Sequence, residues 1–231
     1  MKCWGVRMRM VKVCVVLALA MVSGLGLAQE RRQVLERTEW TMSSGPEKVD
    51  AALPNVLLVG DSITRAYFPD VAKDLAGKAN VYYFASSTSV GDVRLGPQLA
   101  DYFAMMKLKW AVVHFNNGMH GWGYTEAEYR RYFPELVKAV RDGAPGAKLV
   151  WATTTPVRKV QANGASNERI MERNRIAAAA LKGDGVTVDD QYGLMIGHQD
   201  MHADDIHFNA EGSALQAGQV AGSVLGALGA K

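Results

Sequence analysis

The chain has 231 residues, 48% of them hydrophobic and 21% charged, with a formal net charge of +3. That length and balance describe one ordinary globular domain and exclude a disordered or fibrous polymer. The first 28 residues hold four of the 26 Lys and Arg residues and none of the 23 Asp and Glu, so the remainder carries −1 and no basic patch for nucleic acid.

Those first residues read as an export signal. Lys2, Arg7, Arg9 and Lys12 form a basic leader, Val13 to Leu27 is apolar, and Gly26-Leu27-Ala28 places small residues where a signal peptidase reads, so cleavage is expected after Ala28. The apolar run is shorter than the ~18–20 residues of a membrane span, and no stable membrane association is expected once the leader is removed. Both cysteines, Cys3 and Cys14, lie in the leader, so the remaining body can form no internal disulfide. These features point to a secreted or periplasmic protein.

Residues 29–54 are polar and mixed, and are read as an N-terminal arm with one helical turn at most, from which Trp40 packs back on the domain. The domain proper is expected over 55–231. Strands are predicted at Val56–Val59, Val81–Phe84, Trp110–Phe115, Lys148–Ala152 and Val186–Val188, each a short apolar run. Between them, helical periodicity covers Ile63–Ala76, Leu95–Met106, Glu126–Arg141 and Glu168–Lys182. Thr125 and Glu128 form a capping box for the third helix, and Asn209 caps a last helix. This alternation predicts a three-layer α/β/α fold: a parallel sheet of about five strands with helices on both faces.

In such sheets, ligands sit beyond the carboxyl ends of the strands. Polar clusters fall there: Asp61-Ser62 after the first strand, Ser86-Ser87 after the second, Asn116-Asn117 after the third and Thr153-Thr154-Thr155 after the fourth. Ser62 follows a glycine at a strand end, a position that exposes a hydroxyl. A serine needs a base, and the base an orienting acid; Asp204 stands three residues before His207. Asp205 is the rival acid and is read as solvated.

Val-Gly-Asp-Ser-Ile-Thr at 59–64 and Asp-Asp-Ile-His at 204–207 resemble the first and last blocks of the SGNH (GDSL-type) hydrolase and esterase superfamily. The resemblance runs from Leu57 to Phe208. It implies a flavodoxin-like fold, Ser62 as nucleophile, His207 as base, Asp204 as its orienter, and an ester substrate hydrolysed without a metal or other cofactor. The middle blocks depart from the family pattern. Ala85 occupies the place of the expected glycine, so its N–H is the expected second oxyanion donor beside that of Ser62. The third donor is the side chain of Asn116 or Asn117, the register leaving both open.

Asp61, Trp122, Tyr124 and Arg158 are candidate substrate-binding residues, the two aromatics as platforms for a sugar ring. His114 lies inside a strand and is read as a core or subsite residue, and His120 as part of the loop after the third strand. Arg169, Arg173 and Arg175 with Glu168 and Glu172 read as a salt-laced helix face. His198 and His202, four apart, would suit a metal together with Asp204 and His207, but that would tie up His207 and leave Ser62 unexplained. The resulting expectation is a serine esterase acting on short acyl esters, acetyl foremost, on a small molecule or glycan. The competing readings are a lipase or lysophospholipase, and a sugar-binding module without catalysis on the same fold.

Overall fold

A computed structural model describes residues 1–2 and 31–229. The expected leader, its cysteines and the cleavage position after Ala28 fall outside the described residues, Met1 and Lys2 apart. Within them the elements run β1 (Thr41–Ser44), β2 (Asn55–Gly60), α1 (Ser62–Asp74), β3 (Asn80–Ser86), α2 (Leu95–Met106) and β4 (Trp110–Phe115). They continue with α3 (Glu126–Gly143), β5 (Lys148–Ala152), α4 (Asn167–Ala180), β6 (Thr187–Asp189), α5 (Gln191–Ile196) and α6 (Ala210–Leu228).

The strands form one sheet in the order β1-β3-β2-β4-β5-β6. All neighbours are parallel except β1, which runs antiparallel along β3 with Thr41 opposite Ser86 and Ser44 opposite Tyr83. The arm therefore contributes an edge strand where a loop with one helical turn was expected. Its sequence, Thr-Met-Ser-Ser, has no apolar alternation because an edge strand is held by its backbone and faces solvent. The short α5 was also absent from the expected elements.

Alternation along the buried strands divides the core in two. Leu57 and Val59 of β2, with Phe84, Phe115 and Trp151, face α2, α3 and α4. Val56 and Leu58, with Tyr83, Val112 and Val150, face α1 and α6. Both faces of β2 are thus apolar, which explains its unbroken run of hydrophobic residues. Burial of each such leucine contributes about 1.5–3 kcal/mol. Because α1 and α6 lie side by side and both begin at the carboxyl edge of the sheet, their first residues are brought together.

Candidate active site

At the end of β2 the chain turns without room for a side chain: a Cβ on Gly60 would collide with Thr64 Oγ1. Asp61 then caps α1, its Oδ1 accepting the Ile63 N–H at 3.0 Å, and Ser62 becomes the first residue of the helix. That position leaves the Ser62 N–H without an intrahelical partner and gives the hydroxyl the favourable end of the helix dipole. Asp61 is 2% exposed, and its Oδ2 meets no hydrogen-bond partner among the described residues.

The loop before α6 carries the other half. A bridge between His202 and Phe208 closes it, with the Ala203 N–H donating to the His207 carbonyl at 2.9 Å. Asp204 Oδ1 accepts the N–H groups of Ile206 (2.7 Å) and His207 (2.6 Å), and its Oδ2 lies 2.8 Å from His207 Nδ1. The opposite ring nitrogen, His207 Nε2, lies 2.8 Å from Ser62 Oγ. Partial burial raises the Asp204 carboxyl, but the two peptide N–H groups and the imidazole outweigh it and hold its pKa at about 2. Asp205 turns away, its oxygens 3.1 Å from both Arg158 and Lys159. Arg158 also donates its backbone N–H to the Asp205 carbonyl, so it braces this loop against the end of β5, and its guanidinium is already engaged.

The oxyanion donors need one correction. Ala85 lies wholly buried within β3, opposite Met42 of β1 and Gly60 of β2. Two residues on, the Ser87 N–H donates to the Trp40 carbonyl at 3.0 Å, and strand alternation turns the Ala85 N–H toward the same edge strand. That peptide is consumed by the sheet because the arm adds a strand that the sequence pattern does not announce. In the following loop Thr88 N–H is taken by Ser86 Oγ (3.0 Å), whereas the buried Ser89 N–H meets no acceptor among the described residues. Asn116 spends its amide on the Ala152 carbonyl (2.6 Å) and Thr154 Oγ1 (3.3 Å), pinning the ends of β4 and β5. Asn117 places one N–H on the Thr88 carbonyl (2.9 Å), leaving its second amide hydrogen beside the Ser89 loop. Asn116 is thus engaged at the strand ends, whereas Asn117 keeps one amide hydrogen without an acceptor among the described residues.

Trp122 and Tyr124 are not open platforms. They are 4% and 2% exposed. Trp122 Nε1 donates to the Met119 carbonyl at 2.7 Å while the Arg173 guanidinium covers its ring at 4.2 Å. The Tyr124 ring fits against Gly91, where a Cβ would collide with it, and its hydroxyl accepts the Val34 N–H at 2.8 Å. Arg173, expected on a solvated face, is 2% exposed and donates to the carbonyls of His120, Gly121 and Tyr124. Arg169 joins it on the carbonyls of Trp122 and Tyr124. Two guanidinium groups thus hold the loop after β4 from beneath; only Arg175, paired with Glu172, remains on the surface as expected.

Residues 31–40 run over the same loops as a strap. Arg31 donates to the carbonyls of Val90 and Gly91, Glu36 accepts the Gly121 N–H, and Glu39 and Trp40 engage Ser87 Oγ. Trp40 is half-buried at the rim, its ring edge-on to His120 at 6.1 Å. No motif marks these contacts, because each joins the arm to a loop between 47 and 85 residues away. His114 is a core residue, its Nε2 2.8 Å from Asp189 with both side chains fully buried. His202 stacks on Phe208 at 4.2 Å, and among the described residues no His, Cys, Asp and Glu cluster has metal-holding geometry.

A family model for the GDSL-like Lipase/Acylhydrolase family matches residues 58–215, from the end of β2 into α6. The chain belongs to this family. GDSL-family membership makes it a hydrolase of the esterase and acylhydrolase type, acting on an ester substrate. No curated protein matches the chain significantly in sequence. Among solved structures, it is similar to a carbohydrate esterase family 3 protein from Talaromyces cellulolyticus (TM-score 0.60, 16% identity, 76% of this chain and 98% of that one). It is also similar to a GDSL-like lipase from Bacteroides thetaiotaomicron (0.58, 14%, 75% and 88%). A third is the C-terminal catalytic domain of Streptococcus pneumoniae peptidoglycan O-acetyltransferase A (0.54, 18%, 76% and 94%). These likenesses establish the fold, a three-layer α/β/α sandwich of the GDSL type. No helix among the described residues is long and apolar enough to cross a membrane.

Proposed function

We propose that this GDSL hydrolase is a secreted or periplasmic serine esterase that removes short acyl groups, acetyl foremost, from carbohydrate esters. The observation that carries the reading is the continuous contact Ser62 Oγ to His207 Nε2 and His207 Nδ1 to Asp204, at 2.8 Å for each step. His207 takes the Ser62 proton as Oγ attacks the ester carbonyl, and Asp204 steadies the imidazolium that forms. The resulting oxyanion is held by the Ser62 N–H, the Ser89 N–H and the free amide hydrogen of Asn117. His207 then gives its proton to the departing alcohol, leaving an acyl-Ser62. Water, deprotonated by the same imidazole, attacks that acyl group and releases the acid, returning the proton to Ser62.

The short acyl and carbohydrate parts draw support from kinship of fold with a carbohydrate esterase and a peptidoglycan O-acetyltransferase. A cavity of about 770 Å³ between α2 and α3 includes Val90, Phe103, Tyr132 and Leu136 but none of Ser62, Asp204 or His207, so it offers no acyl channel to the serine. Export rests on the leader sequence. The test is acetate release from a panel of acetylated polysaccharides, run beside nitrophenyl esters from acetyl to octanoyl. Acetate release with falling activity beyond butyryl supports the reading. Rising activity toward octanoyl with no acetate released would assign the chain to lipases or lysophospholipases instead.

A further inference from the structure

We propose that the N-terminal strap is a working part of the oxyanion site: Arg31, hydrogen-bonded to the Val90 and Gly91 carbonyls, holds the loop that presents the Ser89 N–H. Arg31 is then a positioning residue, acting through the loop backbone, and its effect on catalysis rests on the serine-esterase reading.

The segment from Ser87 to Gly91 joins β3 to α2 and contains neither helix nor strand to stiffen it. A peptide N–H stabilises an oxyanion only if it already points where the charge will develop, so such a loop must be braced by its surroundings. The strap braces it at both ends. Next to β3, the Trp40 carbonyl accepts the Ser87 N–H at 3.0 Å, and the Trp40 N–H donates to Ser87 Oγ at 2.9 Å. Toward α2, the Arg31 guanidinium spans two successive carbonyls, Nη2 donating to Val90 at 2.9 Å and Nε to Gly91 at 2.8 Å. A planar fork grips two acceptors at once, which a single ammonium on a flexible stem does not. Ser89 stands between these clamps.

Arg31 is itself fixed. Its Nη1 donates to Glu135 at 2.7 Å, and its guanidinium lies 3.6 Å over the Tyr132 ring. The Asp92 N–H closes the turn on the Ser89 carbonyl at 3.0 Å. Arg94 grips the Asp92 carboxylate at 2.6 Å and meets Glu39 of the strap at 3.2 Å. Across the loop, a Cβ on Gly121 would collide with Ser89 Oγ, and the Gly121 N–H is taken by the strap's Glu36 at 2.9 Å. Asn117, the other proposed donor, bonds the Thr88 carbonyl at 2.9 Å, so a shift of this loop disturbs both donors.

The adjacent arginine separates this role from simple tethering. Arg32 binds Glu128 and the Gly123 carbonyl and makes no hydrogen bond to residues 87–91. Arg31→Gln and Arg32→Gln are both expected to lower the melting temperature of the full chain. Only Arg31→Gln should lose kcat on an aryl acetate, by about tenfold to 10²-fold with KM little changed, as expected for misplaced oxyanion donors. Inhibition by phenylboronic acid, which becomes tetrahedral on the serine, should weaken by the factor that kcat/KM loses. Arg31→Lys, with one donor in reach of the carbonyls, should fall between wild type and Arg31→Gln. Hydrogen exchange over residues 86–92 should quicken in Arg31→Gln and stay at the wild-type rate in Arg32→Gln.

Equal kcat losses in the two glutamine variants overturn the proposal, since the strap would then act only as a tether. So does a lowered melting temperature in Arg31→Gln with kcat and boronate inhibition held, or unchanged exchange over 86–92. Should the wild type hydrolyse no ester, the esterase reading fails on its own, and the exchange rates still decide whether Arg31 holds the loop.

Discussion

Ser62 Oγ and His207 Nε2 stand 2.8 Å apart although 145 residues separate them in the chain. Packing of α1 against α6 produces this meeting: Ser62 opens α1, and His207 lies three residues before the first residue of α6. Asp204 adds a local device, folding one carboxylate oxygen over two peptide N–H groups so that the other faces the imidazole.

Removal of the hydroxyl is the first expectation. Ser62→Ala loses at least about 10⁴-fold in kcat/KM, because His207 is left with no oxygen to activate. Thermal melting should change little, since Ser62 is only partly buried. Steady-state hydrolysis of an aryl acetate measures the loss.

Asp204→Asn separates orientation from turn geometry. Asparagine keeps an oxygen for the Ile206 and His207 N–H groups but presents an amide to His207 Nδ1, favouring the wrong tautomer. The Asp204 side chain is 58% exposed, so water competes for the imidazole. The expected loss is about 10²-fold in kcat, short of the ~10⁴ of a buried triad acid. Asp204→Ala should be worse in kcat and should also lower the melting temperature, since two peptide donors lose their acceptor.

The two neighbouring asparagines should behave differently. Asn117→Ala is expected to lower kcat about 10²–10³-fold with KM little changed, as for an oxyanion donor. Asn116→Ala releases the ends of β4 and β5, costing about 1–3 kcal/mol of stability, with kcat held within about tenfold. Kinetics and thermal melts on the two variants compare them directly.

Tyr124→Phe strips the acceptor from the Val34 N–H and should cost about 1 kcal/mol, read as a lower melting temperature. KM for an acetylated sugar should stay within about twofold of wild type. A raised KM at unchanged stability would restore the stacking role that burial argues against.

Stability should fall on acidification below about pH 4.5. Asp204 and Glu128 both have pKa values held at about 2, Glu128 chiefly by its hydrogen bond to Arg32. A depressed carboxylate stabilises the fold above its ordinary value, and that contribution disappears as the pH drops toward the folded-state value. Glu128→Gln should therefore show a flatter dependence of melting temperature on pH than wild type.

The strand and helix order was legible because both faces of the sheet are covered, so β2, β3 and β4 announce themselves as apolar runs. The Asp204–His207 contact was legible because a three-residue spacing sets it locally, and the exposed place of Ser62 because it follows a strand-ending glycine; the meeting of the two halves depends on the packing of α1 against α6. The edge strand β1 was not, since Thr41–Ser44 pairs through its backbone and leaves no pattern in its side chains. That omission propagated into the misassignment of Ala85, whose N–H looks free only when β1 is missing. Trp122, Tyr124 and Arg173 misled for the opposite reason. Aromatic and charged residues in a loop and on a helix read as exposed, and only tertiary contact between α4 and the loop after β4 buries them.

The most direct measurement is active-site labelling with a fluorophosphonate, followed by mass spectrometry of the modified peptide. One equivalent of adduct is expected on Ser62, abolished in Ser62→Ala and strongly slowed in His207→Gln. An unlabelled wild type, or an adduct that persists equally without the Ser62 hydroxyl, would contradict the role of Ser62.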